Sequence, residues 1–113
     1  MGYSVDYKPS KRRAKRTVPT NRTQRAKDIK QAIRWNVGTL EHDTTSLETV
    51  ERGMAIMLLK LNRVAPQADP TGDHVMQQLI SGGHVPHPFR VAGRQVFDRD
   101  QLLSSLKTYA GVR

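Results

Sequence analysis

After residue 20, apolar residues recur along the chain at helical spacing. From Asn21 or Thr23 to about Val37 they lie three or four positions apart, which predicts a first helix that ends at Gly38. Trp35, the only tryptophan, is interpreted as a core or interface anchor rather than a base-stacking platform, because one aromatic ring does not form a stacking groove. The apolar stripe of this helix is narrow and consists of Ala26, Ile29, Ala32, Ile33 and Val37.

A second helix is predicted to begin at Thr45. The segment Thr45-Ser46-Leu47-Glu48 fits a capping box, in which the threonine hydroxyl and the glutamate carboxylate each accept a hydrogen bond from a free amide. Because apolar residues continue almost all round its middle, we expect a central core helix with Met57 at its centre. Its apolar positions are Leu47, Val50, Met54, Met57, Leu61 and Val64, widened by Ile56, Leu58 and Leu59.

Prolines and glycines delimit a short third helix. Two prolines indicate a loop over residues 66–72, and Asp73 or Thr71 is expected to cap the helix that follows. Gly82-Gly83 is expected to end it. The inward positions would be Val75, Met76, Leu79 and Ile80, and the outward ones His74, Gln77, Gln78 and Ser81.

A β-hairpin and a last helix complete the predicted fold. After a proline-rich connector, residues 89–97 alternate apolar and polar positions around a tight turn at Ala92-Gly93-Arg94. Asp98 then caps a helix, with Gln101 at the reciprocal position. The sequence therefore predicts a small α+β fold, mainly α with one β-hairpin, over residues 21–113. The buried face of the last helix would be Leu102, Leu103, Leu106 and Tyr109.

Charge is distributed very unevenly. Residues 1–30 contain ten basic and two acidic residues, a formal +8, whereas residues 31–113 contain nine basic and eight acidic ones. Residues 1–20 hold few apolar residues, so we interpret them as a disordered, extended basic arm that contacts nucleic acid. A solubilising tail or a localisation signal are the alternatives. The cations assigned to the contact are Lys8, Lys11, Arg12, Arg13, Lys15, Arg16, Arg22, Arg25 and Lys30.

The order of helix, helix, two-stranded hairpin and helix in the C-terminal half resembles excisionase-like and MerR-type winged helix-turn-helix domains. The resemblance is most local in the stretch Phe89-Arg90-Val91-Ala92-Gly93-Arg94-Gln95-Val96-Phe97-Asp98-Arg99-Asp100-Gln101-Leu102. It implies that the hairpin is a wing, with Arg94 at its tip in contact with phosphate or a minor groove and Arg90 and Arg99 beside it.

The same resemblance implies that the third helix is a recognition helix. This helix has no Arg or Lys, so only Gln77, Gln78 and His74 could reach base edges, with glutamine suited to adenine. The loop before it is longer than the usual turn of three or four residues. A hairpin and helix that merely complete a small α+β fold are the alternative.

Other kinds of site are not expected. The chain has no cysteine, and His74, His84 and His87 lack the spacing of a helical ligand pair, so no metal or cofactor site is predicted. No Gly-rich phosphate loop or nucleophile elbow indicates an enzyme. The longest apolar run, Met54 to Leu59, is too short to cross a membrane, so we expect a cytoplasmic or virion-associated protein.

The favoured hypothesis is a non-enzymatic nucleic-acid-binding accessory protein of the kind found on phages and other mobile elements. We expect DNA rather than RNA, bound through phosphate contacts of the arm and the hairpin. The alternatives are a structural subunit of a virion or other large nucleoprotein assembly, and a small adaptor or inhibitor that binds another protein. Because the core is thin, we expect a homo-oligomer or a subunit of a larger assembly.

Overall fold

A computed structural model of the chain describes residues 21–112, with the side chains of residues 21 and 22 excepted. Within this range, four α-helices, a 3₁₀ turn and a three-stranded antiparallel sheet form a small α+β fold, which confirms the predicted class. The elements are α1 (Asn21–Asp43), β1 (Thr49–Glu51), α2 (Arg52–Leu59), the 3₁₀ turn (Leu61–Arg63), α3 (Asp73–Ser81), β2 (Phe89–Val91), β3 (Arg94–Asp98) and α4 (Arg99–Ala110).

The predicted hairpin is confirmed, and its turn spans only two residues. Ala92 and Gly93 have φ values of +52° and +80°, the left-handed pair that matches the twist of a two-residue hairpin. Arg94 therefore belongs to β3 rather than to the turn. In the register of β2 and β3, Phe89 lies opposite Val96.

The sheet has a third strand that the sequence analysis missed. β1 pairs antiparallel with β3, so the order is β1-β3-β2, and Val50 lies opposite Phe97. Val50 and Phe97 are both buried in the core. Three residues are too few for an alternating pattern to stand out, so only this long-range pairing reveals β1 as a strand.

The prediction that Gly38 ends the first helix is wrong. α1 continues to Asp43, because the buried stripe continues past the glycine from Val37 to Leu40. Gly38 is exposed on the outer face of α1, where its missing side chain costs helix propensity but no packing. The helix ends at Asp43, and the buried hydroxyl of the next residue, Thr44, donates to the Leu40 carbonyl at 2.6 Å.

The capping box at Thr45 and the helix predicted to begin there are also wrong. The Thr45 hydroxyl donates backwards to the carbonyls of Glu41 and His42, at the end of α1. The next helix, α2, begins only at Arg52 and ends at Leu59, where Lys60 adopts a left-handed backbone with φ +58°. A threonine hydroxyl can donate to a carbonyl three or four residues earlier instead of capping the amino end of a helix, and Thr45 forms bonds of this first kind.

Several large apolar side chains lie on the surface, and two of them, Met57 and Leu47, were predicted to lie in the core. Met57 is 64% exposed, Leu47 is 39% exposed, and Trp35 is 72% exposed. Met57 is therefore not a core residue. The exposure of Trp35 excludes a core role and is compatible with both an interface anchor and a base-stacking platform. α2 buries the opposite side of its surface instead, through Ala55, Ile56 and Leu59.

The core lies where α1 packs against α2 and α4, with α3 and the sheet closing its ends. Its fully buried large side chains include Ile33, Leu40, Leu59, Leu61, Met76, Leu79, Phe97, Leu102 and Leu106. The predicted face of α4 is largely confirmed, since its three leucines are buried and Tyr109 is half-buried. The cap of α4 is confirmed as well: the Asp98 carboxylate accepts a hydrogen bond from the Gln101 amide at 3.0 Å.

Candidate nucleic-acid interface

α3 presents a polar face to solvent, whose one charged residue is Asp73 at its amino end. The predicted inward positions are all buried, and the predicted outward positions are all exposed. Gln77 donates through its side-chain nitrogen to the Ser81 hydroxyl at 3.3 Å. The side chain of Gln78 forms no hydrogen bond within residues 21–112. α3 ends at Gly82-Gly83 as predicted, with Gly83 at φ +75°.

The amino end of α3 is held by Asp69, a residue that the sequence analysis missed. Asp69 is 6% exposed, and its carboxylate accepts hydrogen bonds from the amides of His74 and Val75 at 3.2 and 3.0 Å. An acidic side chain is favourable there because it satisfies free amides and complements the helix dipole. The cap was expected at Asp73 or Thr71. Thr71 contributes only one acceptor contact, to the Asp73 amide at 3.3 Å.

Asp73 instead links α3 to α2. Its carboxylate accepts a hydrogen bond from the Arg52 guanidinium, whose second nitrogen donates to the Asp73 carbonyl at 3.2 Å. This hydrogen bond lowers the pKa of the Asp73 carboxyl below its ordinary value. The two helices are thereby fixed to each other at the side where α3 begins.

The first turns of α1 lie beside the exposed face of α3. Arg25 and Gln78, both predicted site residues, line one small cleft of about 140 Å³ together with His84 and Tyr109. Arg25 forms no ion pair within residues 21–112, so its charge is available to a ligand. The structure thus brings one cation of the basic segment next to one glutamine of α3.

Lys30, another predicted site residue, lies on the neighbouring turns of α1. Its ammonium group is 5.3 Å from the centre of the Tyr109 ring, and the His84 ring contacts the same tyrosine with centroids 4.2 Å apart. Partial burial raises the pKa of the Tyr109 hydroxyl. The tyrosine side chain therefore joins α4, α1 and the connector after α3 into one surface.

The hairpin arginines are used within the protein itself. Arg94 pairs with Glu51 of β1 at 2.6 Å, and this hydrogen bond raises the pKa of the Arg94 guanidinium. Arg90 donates to the Gly93 carbonyl at 3.2 Å and so closes the turn. Arg99 is largely buried and donates to the Thr44 hydroxyl and the Glu41 carbonyl, which caps the end of α1. Arg99 is therefore a structural residue.

The predicted arm cations Lys8, Lys11, Arg12, Arg13, Lys15 and Arg16 lie outside the described residues, as does the side chain of Arg22. Within the described range no three histidine, aspartate or glutamate side chains converge as metal ligands would. Over the same range, none of the helices combines the length and the apolar character needed to cross a bilayer. No known protein family, curated protein sequence or solved structure matches the chain.

Proposed function

We propose that the protein binds DNA without catalysing a reaction, and that its basic amino-terminal segment supplies most of the binding energy. The observation that carries this proposal is the placement of Arg25 beside Gln78. Part of the segment of formal charge +8, at the first turns of α1, thereby lies next to the exposed face of α3. Twenty residues can reach at most about 70 Å, which is enough to follow a DNA backbone over several phosphates.

The docking face that we propose consists of α3 and the β2–β3 hairpin, in the manner of a winged helix-turn-helix domain. The element order α2, α3, hairpin supports this assignment, and the uncharged amides of Gln77 and Gln78 suit the edge of adenine. Thirteen residues separate α2 from α3, so the link is much longer than the usual turn. The arrangement therefore fixes the position of α3 through Asp69 and the Arg52–Asp73 pair rather than through a tight turn.

In this proposal the hairpin contributes less than its arginine content suggests. Glu51 already neutralises Arg94, so a phosphate has to displace this carboxylate before it gains the contact. Arg90 is exposed and is the better placed of the two, although it also closes the turn.

The decisive experiment compares the salt dependence of duplex binding in the full-length chain. Replacing Lys11, Arg12, Arg13, Lys15 and Arg16 with glutamine should lower the slope of log K against log salt by about 4 to 5, because each lost phosphate contact removes about 0.9. The loss of affinity should be the same for all duplex sequences. Fluorescence anisotropy of labelled DNA, with RNA of the same sequence in parallel, measures both quantities.

Separate variants test the docking face. Gln77→Ala with Gln78→Ala should change the preference among sequences by about 1–3 kcal/mol and leave the salt slope unaltered. Glu51→Gln should strengthen binding by freeing Arg94, and adding Arg94→Ala should cancel that gain. Glu48→Gln removes the same charge at an exposed carboxylate that forms no ion pair within residues 21–112, and it serves as the control. A wild-type salt slope in the five-glutamine variant would contradict the proposal as a whole, whereas unchanged sequence preference would remove only the role of α3.

A further inference from the structure

Trp35 borders a groove on the outer side of α1. The side chain is 72% exposed, and the groove, of about 360 Å³, runs between α1 and the turn that follows α2. An exposed indole at the edge of a groove offers a large apolar contact area with little rotamer entropy to lose. The groove is lined, among others, by Ala32, Trp35, Asn36, Lys60, Arg63 and Val64, which we call the Trp35 face.

The Trp35 face is held in place by the fold. The Asn36 side-chain nitrogen donates to the Ala32 carbonyl of its own helix at 2.7 Å and to the Leu59 carbonyl at the end of α2 at 3.3 Å. Directly after Leu59, the left-handed backbone of Lys60 turns the chain into the 3₁₀ turn that carries Arg63. A partner therefore meets a preformed groove, which lowers the cost of binding.

The charge around this groove has one dominant sign. Lys60 and Arg63 line it, and Lys27 and Arg34 line the adjoining groove on the other side of Trp35. None of these four cations forms an ion pair within residues 21–112. Of the described residues, Asp28 is the one acidic residue that borders either groove, and it accepts a hydrogen bond from Gln24.

We propose that the Trp35 face binds an acidic segment of a protein partner. An apolar side chain of that segment packs on the indole of Trp35, and its carboxylates pair with Lys60 and Arg63. Tryptophan and arginine are the residues that most often dominate the energy of protein interfaces, and the charge complementarity selects an acidic partner.

Two other occupants fit the face less well. A second copy of this chain would bring the same unpaired cations against one another, which costs free energy. A single-stranded nucleic acid is typically bound by several aromatic side chains on which its bases stack, and among residues 21–112 only Trp35 offers such a ring at the border of either groove. Trp35 lies ten residues beyond Arg25, about 15 Å along α1, so the Trp35 face is separate from the cleft of Arg25 and Gln78.

In the test, random 16-residue peptides without tryptophan are displayed on phage. Those that bind the immobilised protein, with all 113 residues present, are selected. Soluble Trp35→Ala protein is present in excess as a competitor and removes peptides that bind the basic segment, which both proteins share. We expect the surviving peptides to combine several Asp or Glu residues with Leu or Phe. Because Trp35 is the only tryptophan, its emission should shift to shorter wavelength when such a peptide binds.

Two charge variants sharpen the test. Lys60→Asn with Arg63→Gln should weaken peptide binding at least tenfold, and asparagine suits the left-handed backbone at position 60. Gln101→Glu with Ser104→Glu lowers the net charge by the same two units at exposed positions of α4 and should change the affinity less than twofold. Circular dichroism checks that all variants are folded.

Three results would overturn the proposal. The first is a selection that enriches no peptide over the competitor, or only peptides without acidic residues. The second is a shift of the Trp35 emission, as large as the one that a peptide causes, when a 20-nucleotide oligothymidylate is added. If the Lys60/Arg63 variant did not show this shift, the face would be assigned to nucleic acid. The third is an emission shift when the protein concentration alone is raised, together with a dimer in sedimentation velocity. If Trp35→Ala abolished that dimer, the face would be assigned to a second copy of the chain.

Discussion

At the scale of the residue, a few backbone and side-chain positions fix how the elements join. Gly72 precedes α3 with φ +78° and is buried against α2 and the 3₁₀ turn. A β-carbon at this position would lie 2.6 Å from Cγ2 of Ile56 and 2.8 Å from the Asn62 amide nitrogen. Glycine is therefore required here by both its conformation and its size.

We expect Gly72→Ala to lower the free energy of unfolding by about 2–4 kcal/mol, since the new methyl group adds steric overlap to an unfavourable backbone. Urea denaturation followed by circular dichroism measures this change. The control is Gly38→Ala, the same substitution at an exposed position of α1 where a β-carbon meets nothing within 4 Å. It should stabilise the protein by about 0.5–1 kcal/mol. Equal effects of the two substitutions would contradict the packing described around Gly72.

At the scale of the element, residues 45–64 show why periodicity alone misassigns structure. Apolar residues spaced three and four apart fitted one long helix, yet the chain divides there into β1, α2 and the 3₁₀ turn. Val50 satisfied the helical pattern equally well but is buried as a strand residue opposite Phe97. α2 is apolar on most sides, so the sequence cannot tell which side faces the core, and the tertiary contacts decide.

The pair Met57 and Leu59 tests which side of α2 is buried. Met57→Asp should change the free energy of unfolding by less than about 0.5 kcal/mol, because this side chain is 64% exposed. Leu59→Asp should abolish the cooperative thermal transition, since an unpaired carboxylate in a fully buried position costs several kcal/mol. A strongly destabilised Met57→Asp protein would restore the orientation that the hydrophobic pattern first suggested.

The link between α2 and α3 predicts a dependence on pH. Because Arg52 lowers the pKa of Asp73 below 3.8, the pair stabilises the fold above that pH and loses its contribution as the pH falls through the folded-state pKa. In an NMR titration of the Asp73 carboxyl carbon, Arg52→Gln should move the midpoint up towards 3.8. The stability difference between the two proteins should shrink below that pH.

Arg63→Gln provides the matched control, since Arg63 is exposed and has no ionic partner among residues 21–112. It should leave the titration of Asp73 unchanged. An identical midpoint in the wild-type and Arg52→Gln proteins would show that the pair does not form in solution.

At the scale of the whole molecule, the sequence was most informative where the signal is local. The hairpin, the Asp98 cap, the two faces of α3 and its glycine stop are confirmed, because each depends on residues within a few positions of one another. Contacts between distant segments could not be predicted from the sequence in the same way. The Arg94–Glu51 pair joins residues 43 positions apart, and Asp69 caps α3 only because the loop folds back on it.

The same distinction applies to the candidate site. The polar face of α3 was predictable from spacing, whereas the distant partners of Arg94 and Arg99 were not. Charge composition identifies a basic segment but carries no information about which cations the fold itself uses. Of the arginines assigned to a wing, Arg90 closes the hairpin turn, Arg94 pairs with Glu51, and Arg99 caps α1.

The packing of α1 against α4 has a consequence for synthesis of the chain. These helices lie at opposite ends of the folded domain's sequence, and the central strand β3 pairs with a strand more than 40 residues earlier. A nascent chain therefore cannot close its core until α4 has left the ribosome. Any early stop that removes α4 leaves the inner face of α1 uncovered, so such a product is a substrate for proteases rather than a smaller working protein.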